Sequence, residues 1–208
     1  MPDGTMVLGA IIAGGASTRF GSPKALAQVG GRRVVDRAAG ALRAALQEGS
    51  VVAIVNDAAL AQAIGLEHRA DVLPGAGALS GVHAALVWAR ERDCAGVLAV
   101  GCDMPFLSPP LLERLLAEAD AHDVVVPESE GRRGVEPLCA YYGVPCIDAI
   151  ERSIARGDAR MIGFHADVDV HRLPIGIVRS FGDPARLFMN LNTEQDRAAA
   201  DLHAAELP

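Results

Sequence analysis

The sequence predicts an α/β fold in which helices cover a mostly parallel sheet. Two observations carry this prediction: short aliphatic runs alternate with longer segments of helical periodicity, and aromatic residues make up only 4% of the chain. Near-continuous aliphatic strands are typical of sheets that crossover helices bury on both faces. With 208 residues, half of them hydrophobic, the chain is long enough to bury the core of one such domain.

The first 120 residues repeat a strand followed by a helix. Aliphatic runs predict strands at 7–13, 51–55 and 96–100 and a short edge segment at 67–72. Apolar residues at helical spacing predict helices at 34–46, 57–64 and 79–90. A further helix is expected to begin after Ser108, because serine is a good N-cap and Pro109 suits the first helical position. This alternation favours parallel strands joined by crossovers.

The rhythm changes in the second half of the chain. Strands are expected at 124–127, 138–142 and 168–173, and a helix at 147–155. The segment NLNT, residues 190–193, leads into a last helix, with Thr193 as N-cap and Asp196 three residues later. Because no linker or internal repeat separates the halves, we expect one domain, residues 1–208, whose second half elaborates the same sheet.

Composition and charge exclude several classes of function. A net charge of −7 argues against a nucleic-acid partner. The four cysteines lack the C-x-x-C spacing of zinc or redox sites, so a reduced, cytoplasmic chain is the simplest interpretation. The apolar segment at 6–16 lacks the basic start of a signal peptide. No uncharged apolar run is long enough to span a membrane, so no membrane contact is expected.

A glycine-rich loop follows the first predicted strand, within the sequence AIIAGGASTRFGSPKAL at 10–26. No acidic residue occurs from 4 to 35, whereas Arg19 and Lys24 lie on this loop. Backbone N–H groups can approach phosphate oxygens where side chains are absent, and cations neutralise the phosphate charge. The pattern therefore predicts an anion site whose backbone approach depends on Gly14, Gly15 and Gly21.

Two familiar phosphate motifs do not match this loop. A Walker loop requires G-x-x-x-x-G-K-[ST], but here Gly21 is followed by Ser22 and Pro23. The dinucleotide fingerprint requires G-x-G-x-x-G, but here Gly14 and Gly15 are adjacent. The loop therefore represents a third kind of nucleotide-binding loop.

Three segments together resemble one known family. IIAGGASTRFGSPKAL, GCDMPFL and NLNT resemble the motifs of the molybdenum cofactor guanylyltransferase (MobA) family of nucleotidyltransferases, and the similarity extends over about residues 6–203. Ile12 and Phe20 replace the usual leucine and methionine of the first motif. The resemblance implies a three-layer αβα, Rossmann-like sheet of the nucleotidyltransferase type, with an antiparallel elaboration in the second half. It also implies a nucleotide-binding half at about 6–120 and a pterin-binding half at about 121–208.

The resemblance assigns site residues to these motifs. It implies catalytic roles for Arg19, Lys24 and Asp103, and a Mg²⁺ ion held by Asp103, which follows a strand where ligands of open α/β sheets bind. From the residues alone, Asn56 is also compatible with a helix cap, and Asp71 with a loop carboxylate that binds nothing. The nucleotide-binding residues implied by the resemblance are Ile12, Ala13, Gly14, Gly15, Lys24, Asn56, Asp71 and Asp103.

A second group of residues is assigned to the pterin substrate: Arg132, Arg133, Glu136, Asn190 and Asn192. Glu136 stands where the family often has histidine or glutamine before Pro-Leu, which alters contacts to the second substrate. The arginine pair is equally compatible with a solvated loop, and each asparagine with a turn or cap.

The expected reaction is transfer of GMP from GTP to the terminal phosphate of molybdenum–molybdopterin, with release of pyrophosphate. Molybdenum-insertion or acceptor enzymes are the expected protein partners. Two alternatives stay open: the same transfer with CTP, and a nucleotide-binding adaptor without turnover. Related cytidylyltransferases carry L-A-A-G where this chain has Ala13-Gly14-Gly15, and a bare Gly15 leaves room for a purine, which favours GTP.

Overall fold

The structure is a computed structural model that describes residues 6–13, 23–47, 49–73 and 75–205. Its strands are β1 Val7–Ile12, β2 Gln28–Val29, β3 Arg32–Arg33, β4 Val51–Ile54, β5 His68–Arg69, β6 Gly96–Gly101, β7 Val124–Pro127, β8 Cys139–Gly143 and β9 Val170–Leu173. Its α-helices are α1 Val34–Leu46, α2 Ala58–Ile64, α3 Ala78–Glu91, α4 Pro109–Leu116, α5 Cys146–Ala155, α6 Ile175–Val178, α7 Pro184–Leu187 and α8 Glu194–Ala205. Short 3-10 turns occupy Lys24–Leu26, His165–Asp167 and Arg179–Phe181.

Seven strands form one sheet in the order β5-β4-β1-β6-β8-β7-β9. The four strands from β5 to β6 are mutually parallel, β8 runs antiparallel to both β6 and β7, and β9 is parallel to β7. The predicted α/β class, with a mostly parallel sheet and an antiparallel elaboration in the second half, is therefore confirmed. Strands from both halves of the chain share this one sheet.

Helices pack on both faces of the sheet. Alternate residues of β1 point to opposite sides, so Ile11 packs in one core cluster and Ala10 in the other. The first cluster includes Leu42 of α1 and Leu112 of α4, and the second includes Leu86 of α3 and Ile150 of α5. The observed layers are thus α1 and α4 on one side, the sheet, and α3 and α5 on the other.

A hairpin that the sequence analysis did not predict lies between the glycine-rich loop and α1. Strands β2 and β3 pair through Gly30 and Gly31, both at positive φ, which glycine tolerates without strain. The Gly30 N–H donates to Asp201 Oδ1 of α8 at 2.9 Å. Val29 and Leu191 belong to a small third core that joins the hairpin to the end of the chain. Strands of two residues carry too little periodicity to be recognised from sequence.

The strand order reverses at β1, because the chain proceeds to β4 and β5 on one side before returning to β6 on the other. Ile12 and Gly101, the last residues of β1 and β6, are register partners. Ligands of open α/β sheets bind outside the carboxyl ends of the strands at such a reversal. Of the helices that the structure describes, none is long and apolar enough to cross a membrane.

Candidate active site

Three predicted site residues meet outside the carboxyl ends of β1 and β6. Lys24 Nζ donates a hydrogen bond to Asn192 Oδ1 at 2.6 Å and lies 3.9 Å from Asp103 Oδ2. The side chains of Lys24 and Asp103 are only 18% and 21% exposed. Residues separated by as many as 168 positions in the chain are thus assembled into one partly buried charged cluster. We call Lys24, Asp103 and Asn192 the ammonium–carboxylate cluster.

The local backbone explains where each member points. Pro23 precedes the 3-10 turn that begins at Lys24, and the Leu26 N–H closes that turn on the Pro23 carbonyl at 2.9 Å. On the other strand, the Cys102 N–H donates to the Ile12 carbonyl at 3.2 Å, which extends the β1–β6 ladder by one bond and places Asp103 directly at its end. The carbonyl of Asp103 accepts a hydrogen bond from the Leu191 N–H at 3.0 Å.

Burial governs the electrostatics of Asp103. Desolvation raises the pKa of this carboxyl, while the positive charge of Lys24 and a backbone hydrogen bond oppose the rise. A carboxylate that has lost water without gaining a close ion pair is stabilised by any added cation. The same burial raises the pKa of the neighbouring Cys102 thiol to about 12, with the charge of Asp103 adding to the effect, so this thiol stays protonated at neutral pH.

Asn192 is held in place by a capping arrangement at the start of α8. Asp196 Oδ2 accepts hydrogen bonds from the backbone N–H groups of Asn192 and Thr193, both at 2.8 Å. In return, the Asp196 N–H donates to Thr193 Oγ1 at 3.1 Å. Desolvation works against ionisation of Asp196, but these hydrogen bonds outweigh it and lower the pKa of the carboxyl. The T-x-x-D spacing predicted the cap, but not that it positions the amide that contacts Lys24.

The two asparagines of the NLNT segment have different contacts. Asn192 contacts Lys24, whereas Asn190 Nδ2 donates to the Phe188 carbonyl at 3.0 Å and stabilises the local turn. The sequence left both a site role and a turn role open for each. Within the described residues, the structure brings only the second asparagine into the ammonium–carboxylate cluster.

Asn56 and Asp71 form a reciprocal pair at the ends of β4 and β5. Asn56 Nδ2 donates to Asp71 Oδ2 at 2.9 Å, and the Asp71 N–H donates to Asn56 Oδ1 at 2.8 Å. The other carboxylate oxygen, Asp71 Oδ1, is buried without a hydrogen-bond partner among the described residues. A buried acceptor without a donor is costly, so this oxygen is suited to accept a hydrogen bond from a ligand.

The start of α3 closes around the same pair. A Cβ built on Gly81 would lie 2.7 Å from Ile12 Cγ2 and 3.7 Å from Asp71 Oδ1, so any larger residue would displace this contact. Ser80 is fully buried; its hydroxyl donates to the Leu73 carbonyl and accepts from the Ala76 N–H. Glycine at position 81, in the first turn of α3, therefore lets Ile12 at the end of β1 approach the helix closely, while Ser80 holds the loop that precedes the helix.

The residues assigned to the second substrate lie next along the sheet edge. Arg132 and Arg133 are exposed on the loop between Glu128 and Val135, which pair as an isolated bridge. Glu136 Oε1 accepts a hydrogen bond from the Leu138 N–H at 3.2 Å. Burial raises the pKa of Glu136, and the negative charge of Asp103 adds to the rise against opposition from the Leu138 hydrogen bond and Arg133. Glu136 is therefore electrostatically coupled to the ammonium–carboxylate cluster.

The glycine-rich loop at 14–22 lies outside the described residues. The roles predicted for Gly14, Gly15 and Arg19 therefore stay predictions. The described residues on either side of it have defined contacts: the Ala13 N–H donates to the Ile54 carbonyl at 2.9 Å, and Lys24 lies beside Asp103.

Fold and site together define a nucleotidyltransferase, and comparison with known proteins agrees. Residues 9–169 match the family model of the MobA-like NTP transferase domain. The chain therefore belongs to the MobA-like NTP transferase family. The NLNT segment, with Asn192, lies beyond the matched residues.

Curated relatives and solved structures are similar along most of the chain. A probable molybdenum cofactor guanylyltransferase of Pelotomaculum thermopropionicum is 36% identical over 196 residues, covering 94% of this chain and 92% of the relative. The molybdenum cofactor guanylyltransferase of Desulfosudis oleivorans is 31% identical, with 94% of each chain covered. The crystal structure of molybdopterin-guanine dinucleotide biosynthesis protein A from Archaeoglobus fulgidus aligns with a TM-score of 0.78 at 25% identity, covering 97% of this chain and 100% of that one.

A more distant structure shares the fold alone. The 2-C-methyl-D-erythritol 4-phosphate cytidylyltransferase of Thermus thermophilus aligns with a TM-score of 0.67 at 18% identity, covering 96% of this chain and 100% of that one.

Proposed function

We propose that this enzyme transfers GMP from GTP to the terminal phosphate of molybdenum–molybdopterin, giving the guanine dinucleotide cofactor and pyrophosphate. The observation that carries the proposal is the ammonium–carboxylate cluster, in which Lys24 lies 3.9 Å from the desolvated Asp103 at the strand reversal. Relatives at 36% and 31% identity that bear the name guanylyltransferase supply the nucleotide and the acceptor.

The transfer needs positioning and charge neutralisation more than proton transfer. An oxygen of the molybdopterin phosphate attacks the α-phosphorus of GTP, a new P–O bond forms, and the bond to the bridging oxygen of the β-phosphate breaks. The attacking phosphate is already ionised, so no general base is required. The ammonium of Lys24, together with Arg19 and the backbone N–H groups of Gly14 and Gly15, would bind the triphosphate and stabilise the departing pyrophosphate.

The described residues fit a divalent cation at Asp103. Among them, no group of three or more histidine, cysteine, aspartate or glutamate side chains is arranged to hold a metal ion. Mg²⁺ at phosphoryl-transfer sites is commonly bound by only one or two carboxylates together with substrate phosphates, and the desolvated carboxylate of Asp103 meets that need. When bound, Mg²⁺ supplies charge neutralisation and orientation of the phosphates.

Asn56 and Asp71 are proposed to bind the nucleoside. Each holds the other through reciprocal hydrogen bonds, and Asp71 Oδ1 remains a buried acceptor with no donor among the described residues. Ile12 and Ala13 would border the same space from the end of β1. Hydroxyl or amino groups of guanosine are donors of the right kind for this acceptor.

The second half is proposed to bind the pterin substrate within the same single domain. We assign Arg132, Arg133, Glu136 and Asn190 to this substrate: the arginines are exposed on the loop between Glu128 and Val135, and Asn190 adjoins Leu191, whose N–H donates to the Asp103 carbonyl. Arginine and carboxylate side chains suit a molecule with a phosphate at one end and N–H donors at the other. We also propose that the enzyme acts in the cytoplasm, consistent with the four free cysteines, and delivers its product to molybdenum-insertion or acceptor enzymes.

One experiment separates the proposed function from its alternatives. The purified protein is titrated calorimetrically with GTP, CTP, ATP and UTP in the presence of Mg²⁺, and pyrophosphate release is then measured with molybdenum–molybdopterin. Selective GTP binding with pyrophosphate release is expected. A preference for CTP would reassign the enzyme to cytidylyl transfer, and GTP binding without pyrophosphate release would make it an adaptor.

A further inference from the structure

A polar cavity lies at the opposite end of the strands from Asp103, beside Ala95, the residue that precedes β6. It opens beside the start of β7, the start of β9 and the end of β8, and its volume is about 260 Å³. Three aspartates border it, together with His122 and Tyr141: Asp120, Asp123 and Asp169. The value lies just below the range of about 300–1,000 Å³ typical of drug-sized ligands, so the cavity suits a small molecule and not a nucleotide.

The aspartates bring negative charge to the cavity. Asp169 Oδ2 accepts from His122 Nδ1 at 2.7 Å, and the Asp169 N–H donates to Asp123 Oδ2 at 3.0 Å. In the part of the chain that the structure describes, neither Asp120 nor Asp123 has a lysine or arginine partner. One wall of the cavity is reinforced by His171, whose ring stacks on that of His122 with centroids 4.8 Å apart.

The independent indication of a ligand is Tyr141. Its side chain is only 3% exposed, yet its hydroxyl has no hydrogen-bond partner among the described residues. Tyr141 lines the cavity, and its hydroxyl lies between the start of β6 and the end of β8: a Cβ built on Gly96 would lie 2.8 Å from Tyr141 Oη, and one built on the bordering Gly143 would lie 3.6 Å from it. Burial raises the pKa of Tyr141 to about 12, and the charges of Cys146, Asp120 and Asp123 add to the rise. Among the described residues, the Tyr141 hydroxyl oxygen is not one of the fully enclosed polar atoms, so it contacts the open space of the cavity, where a ligand can reach it.

The neighbouring tyrosine shows the ordinary arrangement. Tyr142 is fully buried, and its hydroxyl donates to the Pro137 carbonyl at 2.7 Å. The two tyrosines are adjacent on β8 and alternate between its faces. Only Tyr141, which borders the acidic cavity, is left without a partner.

We propose that this cavity binds the ammonium or guanidinium group of a small organic cation, with the Asp120 and Asp123 carboxylates and the Tyr141 hydroxyl oxygen as acceptors. An ammonium offers three N–H donors and a guanidinium five, and the cavity offers acceptors of both anionic and neutral kind. The proposal does not depend on the nucleotidyl transfer proposed above, because none of these residues belongs to the ammonium–carboxylate cluster.

The test uses the full-length protein with ¹³C-labelled tyrosine, observed by NMR during titration with agmatine, putrescine and arginine. The chain has only two tyrosines, so Tyr142 serves as an internal reference. We expect a saturable shift of the Tyr141 signals with a dissociation constant of about 1 mM, which corresponds to ~4 kcal/mol. Citrulline, a neutral isostere of arginine, should produce no such shift. N-acetylarginine amide tests whether the guanidinium comes from a free small molecule or from an arginine side chain of a protein. Binding as strong as that of arginine would indicate a site that is open to a peptide, and weaker binding would indicate a free cation.

Matched variants decide whether the cavity is responsible. Asp120→Asn and the Asp120→Asn/Asp123→Asn pair should weaken agmatine binding, the pair by about tenfold or more. Tyr141→Phe keeps the ring and should weaken binding several-fold, read from the calorimetric titration. Glu113→Gln removes one charge from an exposed position on α4 and should leave binding unchanged. Equal binding of citrulline, unchanged binding in the aspartate pair, or no saturable shift up to about 20 mM agmatine would each overturn the proposal.

Discussion

Asn56 follows β4 and Asp103 follows β6, the two strands that flank β1 on either side. Asn56 and Asp71 hold each other through two hydrogen bonds of 2.8–2.9 Å, and only Asp71 Oδ1 is left without a partner among the described residues. Asp103 has lost most of its water, yet its nearest cation among the described residues is 3.9 Å away, and that cation donates to Asn192 instead. One side of the sheet reversal is thus held by its own hydrogen bonds, while the other retains charge that the described residues alone do not neutralise.

This difference indicates that the two strand ends have different roles in the reaction. A pair held by its own hydrogen bonds keeps its geometry with or without ligand and presents the free Asp71 oxygen in a fixed position, which suits recognition of a nucleoside. A desolvated carboxylate beside an ammonium gains most when phosphates and a divalent cation arrive, which suits stabilisation of the transferring group. Substitutions on the β6 side should therefore affect kcat, and those on the β4 side KM for GTP.

The largest effect is expected at Asp103. Asp103→Ala should reduce turnover by on the order of 10³-fold or more, the scale seen when a preorganised electrostatic group at a reacting centre is removed. The measurement is pyrophosphate release at saturating GTP. Asp148→Ala, which removes an exposed carboxylate from the first turn of α5, is the matched control. Near-normal turnover of the Asp103 variant would contradict the catalytic assignment.

The raised pKa of Asp103 predicts how the stability of the metal-free protein depends on pH. Because the folded pKa lies above the unfolded value of about 3.9, the folded state binds this proton more tightly. The resulting loss of folding stability is fully present above the folded pKa and disappears as the pH falls below the unfolded pKa. Asp103→Asn should therefore increase the free energy of unfolding of the metal-free protein at pH 7 by about 0.5–2 kcal/mol. The melting temperature should rise accordingly. A lower melting temperature would show that the carboxylate is already compensated.

A smaller effect is expected at Lys24 and its partner. Lys24→Ala should cost about 10²-fold in kcat, and Asn192→Ala about tenfold, because the amide only orients the ammonium. Gln195→Ala, which removes an exposed amide three residues later, is the control. Lys24 is the only lysine in the sequence, so one lysine side-chain signal in an NMR spectrum reports its contacts directly. If Asn192→Ala left both kcat and that signal unchanged, the hydrogen bond would have no positioning role.

The Asn56–Asp71 pair should affect binding more than turnover. Asp71→Asn replaces the carboxylate whose Oδ2 accepts from Asn56 and whose Oδ1 is the buried, unpartnered acceptor among the described residues. We expect KM for GTP to rise about tenfold, or ~1.4 kcal/mol, with little change in kcat. Steady-state kinetics at varied GTP measures the split, with Asp148→Asn as the control. A fall in kcat at unchanged KM would remove the distinction between the two strand ends.

The smallest effect is expected at the outer edge of the sheet. Arg69 in β5 lies over the buried Trp88 ring, 4.5 Å from its centroid, and pairs with Glu91 at 2.5 Å. These contacts stabilise β5, the strand that precedes Asp71. Arg69→Gln should cost about 0.5–1 kcal/mol of unfolding free energy and raise KM for GTP only slightly, as thermal melts and kinetics can check. Loss of most activity would mean that β5 contributes more directly to the site.

The fold was largely predictable from the chain because aliphatic strands and helical periodicity are local signals. The four parallel strands and the helices α1, α3, α4 and α5 were expected within a few residues of their observed bounds. Ser108 caps α4 as predicted, accepting from the Leu111 N–H at 3.4 Å. The β2–β3 hairpin and the short helices α6 and α7 were not expected, because elements of two to four residues have no periodicity to read.

The sequence by itself determined the fold class, the family and the chemical types at the site, since these reside in residue identity and in motifs such as GCDMPFL. It did not determine which groups meet. Only the tertiary structure showed that Asn192, but not Asn190, contacts Lys24, that Asp196 holds Asn192 in place, and that Asp71 keeps one oxygen unpartnered. The physical reason is that hydrogen bonding and desolvation depend on neighbours brought together by long-range packing. The unpaired hydroxyl of Tyr141 is a further example, because nothing in its sequence distinguishes it from Tyr142.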